Sequence, residues 1–143
     1  MRSHNNLYDE VCSFENLFEA ARRARRGKRL KVSVGRFELE LERELLRHEL
    51  LAQSYVPGLY RAFVIREPKK RLISAAPYRD RVVHHALCNV IGPLFERRFI
   101  SDSYANRVGK GTHKAIERFQ HFARRYAFAL KCDVAKYFPS IDH

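Results

Sequence analysis

Phe128-Ala129-Leu130-Lys131-Cys132-Asp133-Val134 is the stretch on which the reading of this chain turns. Phe128, Leu130, Cys132 and Val134 alternate with Ala129, Lys131 and Asp133, the period-2 pattern that predicts a β-strand. Asp133 falls at the end of that run, on the face opposite Phe128, Leu130 and Cys132. Desolvating a lone carboxylate is expensive unless it is paired or holds a cation. Two readings are therefore open for Asp133: an ion pair with one of the chain's many arginines, or a cation ligand. Beyond it, Ala135-Lys136-Tyr137-Phe138-Pro139-Ser140-Ile141-Asp142-His143 turns sharply away from the strand.

Working back from the strand, Arg107-Val108-Gly109-Lys110-Gly111-Thr112 is a glycine-bearing loop that opens into a helix. Thr112 is the expected cap, with Ala115, Ile116, Phe119, Ala123 and Tyr126 as the core face. The loop lacks the G-x-x-x-x-G-K-[ST] spacing of a phosphate-binding P-loop, which excludes a nucleoside triphosphatase of that kind. Arg79 to Ile91 reads as a helix with Val83, Ala86, Leu87, Val90 and Ile91 on one face. Gly92-Pro93 is expected to stop it and start a shorter turn of helix to Phe99. Before it, Tyr60–Ile65 and Arg71–Ala75 flank Glu67-Pro68-Lys69-Lys70, a hairpin with basic residues at its tip.

Nearer the start, Arg36 to Gln53 predicts a helix with Leu41, Leu45, Leu46 and Leu50 buried, broken by Tyr55-Val56-Pro57-Gly58. Ser13 is placed to cap a helix whose Phe14, Leu17, Phe18 and Ala21 recur at i, i+3, i+4 and i+7, with Gly27 placed to end it. Its other faces carry Arg22, Arg23, Arg25 and Arg26, continuing into Lys28, Arg29 and Lys31. Such a run suits either a solvated helix face or a phosphate-facing surface, and charge alone does not separate them. The order helix, helix, hairpin, helix, helix, strand predicts an α+β fold.

At 143 residues the chain has room for one domain and one ordinary core. Its 28 Lys+Arg against 16 Asp+Glu leave a formal charge of +12, a surplus that points to a polyanionic partner, nucleic acid first. No apolar run approaches the ~18–20 residues of a membrane span, and the polar opening is no signal peptide. We expect no membrane partner. Cys12, Cys88 and Cys132 form no C-x-x-C pair, the pattern of reduced thiols in a cytoplasmic protein. His84, His85, His113 and His121 lack a third ligand at metal spacing, so no zinc site is expected.

Leu130 to His143 as a whole resembles the first catalytic motif of bacterial reverse transcriptases, the group II intron, retron and diversity-generating retroelement branch. Pro68-Lys69-Lys70-Arg71-Leu72-Ile73-Ser74 and Arg79 to Asn89 resemble the fingers motifs of that family. Pro93-Leu94-Phe95-Glu96, Ser103-Tyr104-Ala105-Asn106-Arg107 and Lys110-Gly111-Thr112-His113 continue the succession in order. Asn6-Leu7, Phe14-Glu15-Asn16-Leu17, Arg26-Gly27-Lys28-Arg29, His85 to Asn89 and Phe138-Pro139-Ser140-Ile141-Asp142 are most similar to the diversity-generating retroelement enzymes.

The resemblance implies an α+β fold built from the fingers (about 1–126) and the first palm strand (about 127–143) of a right-hand polymerase. It implies an RNA-directed DNA polymerase with an RNA template, a primer or cDNA strand, dNTPs and two Mg²⁺ ions, and in the named subclass a small accessory protein. Asp133 then matches the metal-binding catalytic aspartate, with the Val134 carbonyl as a further ligand; ions ~3.5–4 Å apart need rigidly held carboxylates. Backbone amides near Lys136 and Tyr137 would face the triphosphate, and Phe138 matches the ring that excludes a ribose 2′-hydroxyl. Tyr137 takes that part if the register is shifted by one, and an ordinary core ring is the other reading of Phe138. Lys69 and Arg71 match the fingers cations that close on the triphosphate, or are exposed turn charges. Lys70 replaces Lys69 if the hairpin register slips. Arg81 matches a further basic position, and Arg107 and Lys110 match template-backbone contacts.

The family's Tyr-x-Asp-Asp motif does not occur in the sequence. The expectation is therefore an N-terminal fragment, inactive alone, whose last strand lacks its sheet partners and forms an aggregation-prone edge. The rival expectation is a non-catalytic basic RNA-binding module that uses Arg22 to Lys31, Lys69 to Arg71 and Arg107 to Lys110 as phosphate contacts.

Overall fold

The computed structural model describes residues 4–38, 40–137 and 140–142. The chain divides into two units, Met1–Arg98 and Phe99–His143. The first holds α1 (Leu7–Val11), α2 (Phe14–Ala24), α3 (Val32–Glu38), α4 (Glu40–Leu51), β1 (Arg61–Ile65), β2 (Arg71–Ala75) and α5 (Tyr78–Glu96). The second holds α6 (Thr112–Ala123).

Helix α2 begins where its cap predicts: Ser13 Oγ accepts the backbone N–H of Asn16 at 3.3 Å. Beyond its end Gly27 sits at φ +69°, a turn conformation strained for any residue with a Cβ. The buried arc of α2 is Leu17, Ala20, Ala21 and Ala24, which join Val82, Ala86 and Val90 of α5 in the core. Three alanines let the two helices approach closely. Phe14 and Phe18, expected in that arc, lie outside it at 45% and 49% exposure. Val11, Cys12, Val34, Phe37, Leu46, Leu50 and Tyr78 complete the core. The Tyr78 hydroxyl donates to the Ala21 carbonyl at 3.0 Å while its ring meets Phe37 edge-on at 5.3 Å.

Helix is described on both sides of residue 39, as α3 and α4, and it starts at Val32, ahead of the expected Arg36. Val34 and Phe37 give α3 a buried face of its own, which Gly35 between them disguised in the sequence. Leu46 and Leu50 are buried as expected, while Leu45 is exposed. The break expected at Gly92-Pro93 does not occur, because α5 runs through Pro93 to Glu96. Proline removes one N–H from the ladder, and only three helical residues follow it.

Strands β1 and β2 pair antiparallel from Arg61↔Ala75 to Ile65↔Arg71, and they form the one sheet among the described residues. In the second unit α6 starts one residue after Gly111, whose φ of +92° turns the chain into it; Thr112 is the first helical residue and caps nothing with its side chain. None of its residues is buried, so the expected core face of Ala115, Ile116, Phe119, Ala123 and Tyr126 is not one in this structure. Residues 127–134 form no strand, and Phe128 and Leu130 stand almost fully exposed. Alternation fits a segment for one-sided burial, but a ladder also needs a neighbouring backbone to bond.

Candidate functional site

Lys69 lies in the turn of the β1–β2 hairpin and Arg71 opens β2 opposite Ile65. Both are exposed, as is every residue of β1, so the hairpin presents its cations to solvent. Its base is fixed from α5. Asp80, only 1% exposed, accepts the Tyr55 hydroxyl on Oδ1 at 2.8 Å and the Gly58 N–H on Oδ2 at 2.9 Å. Burial, and then Asp80 beside it, push the Tyr55 hydroxyl pKa well above the usual phenol value. Arg79 stacks over the Tyr55 ring and pairs with Glu49, tying the same corner to α4.

Arg81 is half-buried on α5, its guanidinium 5.6 Å from the Tyr78 ring centre. Its Nε is shielded from solvent with no hydrogen-bond partner among the described residues. It belongs to a basic cluster: burial first, then Arg81 and Lys31, push the Lys28 pKa down. Burial also leads in lowering that of His85, followed by Arg23, His84, Lys28 and Arg81. The arginine run that follows α2 lines a cavity of about 400 Å³ formed by Arg22, Arg25, Arg26, Gly27 and Arg29.

In the second unit Arg107 and Lys110 hold up their own loop. Arg107 donates to the carbonyls of Ile100 and Ser103, both at 2.9 Å, and stacks 5.4 Å from the centre of Phe99. Lys110 Nζ donates to the Ser101 carbonyl at 2.6 Å and sits over Tyr104. Arg118 closes the loop onto α6 with two bonds to the Asp102 carboxylate, at 2.9 and 3.2 Å. That pairing holds the Asp102 carboxyl below the usual carboxylate range.

Asp133 is exposed, and its Oδ1 accepts the N–H of Val134 at 3.0 Å. It makes no ion pair among the described residues, although the chain carries 28 Lys and Arg. Val134 follows it, exposed, and Lys136 takes a left-handed turn conformation at φ +52°. The Tyr137 carbonyl accepts the Ser140 hydroxyl at 2.7 Å. Phe138 lies outside the described residues. Among the described residues no three His, Cys, Asp or Glu side chains gather as a metal site. The groups present are thus one carboxylate and a neighbouring carbonyl, which do not by themselves fit a pair of cations.

The structure therefore groups Lys69, Arg71 and Arg81 within one unit and Arg107, Lys110, Asp133, Val134, Lys136 and Tyr137 within the other. Sequence reasoning missed the buried Asp80 clamp. Its only signal was a carboxylate in the first turn of α5, just after Pro77.

No family model matches the chain. Over 65 residues it is 34% identical to "Nuclear intron maturase 1, mitochondrial" of Arabidopsis thaliana, a match covering 46% of this chain and 9% of the relative. That segment is weakly similar to an intron maturase. Over 106 residues it is 26% identical to "Nuclear intron maturase 2, mitochondrial" of the same plant, covering 63% of this chain and 14% of the relative. It is 29% identical over 112 residues to "Protein YkfC" of Escherichia coli strain K12, covering 73% of this chain and 29% of that protein. The chain thus spans less than a third of each of these relatives. No helix among the described residues is long and apolar enough to cross a membrane.

Proposed function

We propose that this chain is the N-terminal fingers and first palm segment of an RNA-directed DNA polymerase of the reverse transcriptase family, nearest the diversity-generating retroelement branch. In this reading it takes an RNA template, a primer or cDNA strand and dNTPs, with a small accessory protein as a further partner. Distant kinship with two intron maturases supports the RNA side of the proposal. The observation that carries the catalytic side is the exposed Asp133, left without an ion pair among the described residues of a chain with a surplus of twelve positive charges.

Asp133 is assigned as one ligand of the magnesium ions, which when bound supply positive charge at the reacting phosphate. The carboxylates that complete such a site would come from the Tyr-x-Asp-Asp part of the polymerase, so no step is built on the ions here. What this chain contributes is charge and position. Lys69 and Arg71 offer phosphate donors on an exposed hairpin, and Arg81 adds positive potential on α5. The turn at Lys136 and Tyr137 offers successive backbone amides.

The test is primer extension on an RNA template by a polypeptide that continues into the Tyr-x-Asp-Asp palm. Asp133→Ala is expected to abolish dNTP incorporation while leaving RNA affinity within about twofold. The 143-residue chain alone is expected to bind the primer–template and not extend it. Surviving activity in the Asp133→Ala protein would overturn the assignment. The arginine-lined cavity beyond α2 favours a second reading, a non-catalytic basic RNA-binding module. That reading prevails if the extended polypeptide binds RNA but never incorporates dNTPs.

A further inference from the structure

We propose that α2 carries a binding ribbon for single-stranded polynucleotide, with bases stacking on Phe14 and Phe18 and phosphates settling on Arg22, Arg25, Arg26 and Arg29. Phe14 and Phe18 are four residues apart, so their rings share one side of α2; the ring centres are 6.3 Å apart and the planes within 25° of parallel. Both rings are about half exposed, which the packing of α2 on α5 does not require. Arg43 of α4 lies over Phe18 at 5.3 Å from its centre, and Phe14, Phe18, Arg43 and Glu44 enclose a cavity of about 350 Å³. Base stacking on aromatic side chains is sequence-tolerant because every base has a π-face, and a guanidinium beside the ring adds to it.

Arg22 continues the same side of the helix one turn beyond Phe18, a rise of ~6 Å, on the scale of one unstacked nucleotide. It opens onto the second cavity, whose described lining is Arg22, Arg25, Arg26, Gly27 and Arg29 with no carboxylate. Arg22 and Arg25 are partly neutralised by Glu19 and Glu38. Arg26 and Arg29 make no ion pair among the described residues. An apolar protein partner would use the rings and leave the cation cavity unmatched; a simple anion would use the cavity and leave the rings unmatched. A strand with exposed bases and a charged backbone matches both, whereas a duplex hides its base faces. The inference rests on the RNA reading only for choosing ribonucleotides as the probe.

The chain contains no tryptophan, so Phe18→Trp installs a single reporter at the ribbon. Titrated with tetra-adenylate, the 143-residue Phe18→Trp protein should lose fluorescence saturably, while inorganic tripolyphosphate should displace the oligonucleotide without quenching. Phe14→Leu/Phe18→Leu should weaken tetra-adenylate at least about tenfold, from ~1–3 kcal/mol per stacked base, and leave tripolyphosphate affinity unchanged. Arg26→Gln/Arg29→Gln should weaken both ligands and flatten the salt dependence for the oligonucleotide by about 0.7 log units for each phosphate no longer neutralised. Failure to quench, a leucine variant that binds like its parent, or equal quenching by a duplex would each overturn the proposal. The tryptophan variant keeps a ring in place, so its result stands even if the leucine variant folds poorly. Asp133→Ala should change none of these readouts, so failure of the ribbon and failure of the polymerase reading are separate outcomes.

Discussion

Asn89 of α5 donates through Nδ2 to Oδ1 of Asn16 in α2, at 2.8 Å, across 73 residues of sequence. Asn16 in turn donates to the carbonyls of Val11 and Ala86, at 3.1 and 3.0 Å, and Arg23 donates to the Asn89 side-chain oxygen at 2.6 Å. One amide thus joins the end of α1, the first turn of α2 and the middle of α5 by bonds that fix which way it faces.

Replacing Asn16 by Ala leaves two carbonyls and the Asn89 amide without these partners. Unfolding in urea should show a loss of about 1–3 kcal/mol, the cost of stranding polar groups at a partly buried site. A change below about 0.5 kcal/mol would mean that water replaces the amide without penalty.

Asp80 should be more sensitive. Its carboxylate accepts from Tyr55 and Gly58, and Asp80→Ala removes both bonds from a buried group, with an expected cost of about 2–4 kcal/mol. Tyr55→Phe breaks one of the two and should cost less. Gly58→Ala should also destabilise, because an added Cβ would lie 2.9 Å from the Pro77 ring. Thermal melts of the three variants settle the order.

Tyr78 predicts an alkaline transition. Burial first, and then Glu38, push its hydroxyl up to about 12, so folding favours the neutral phenol. That contribution is complete below the ordinary phenol pKa of ~10 and fades as pH rises through the folded value. Tyr78→Phe keeps the ring against Phe37 and loses the bond to Ala21, so it should be less stable at pH 8 and show a shallower fall between pH 10 and 12. An unchanged alkaline slope in Tyr78→Phe would assign the transition to another group.

Lys69 and Arg71 carry no packing role in the structure, so Lys69→Gln and Arg71→Gln should leave stability within about 0.5 kcal/mol. In an extending polymerase each should raise the KM for dNTP, Arg71→Gln more than Lys69→Gln, because a guanidinium can bind phosphate with two parallel bonds. Equal KM values in parent and variants would remove the hairpin from the triphosphate site.

The sequence disclosed elements whose cause is local. The hairpin was legible from two β-rich runs on either side of Pro68, and the start of α2 from Ser13, because turn and cap chemistry act over a few residues. The buried side of α2 was misjudged because Phe14 and Phe18 weigh heavily in any apolar pattern, whereas Ala20 and Ala24 weigh little and yet sit where α5 comes closest. Val34 and Phe37 were overlooked behind Gly35 for a related reason. The missing sheet partners of 128–134 were expected from the sequence, but not that without a second backbone the segment would form no strand at all. At the candidate site, Asp133 stood out by its place in an apolar run. Asp80 did not, because what defines it is the approach of Tyr55 and Gly58 from another segment.

The loop fastened by Arg107 and Lys110 has a practical consequence for anyone mapping this surface by charge-removal scanning. Those two side chains are its scaffolding as well as part of its electrical field, so deleting either alters shape and potential together. A drop in affinity after Arg107→Ala or Lys110→Ala would look like a lost attraction even where the true event is a collapsed turn.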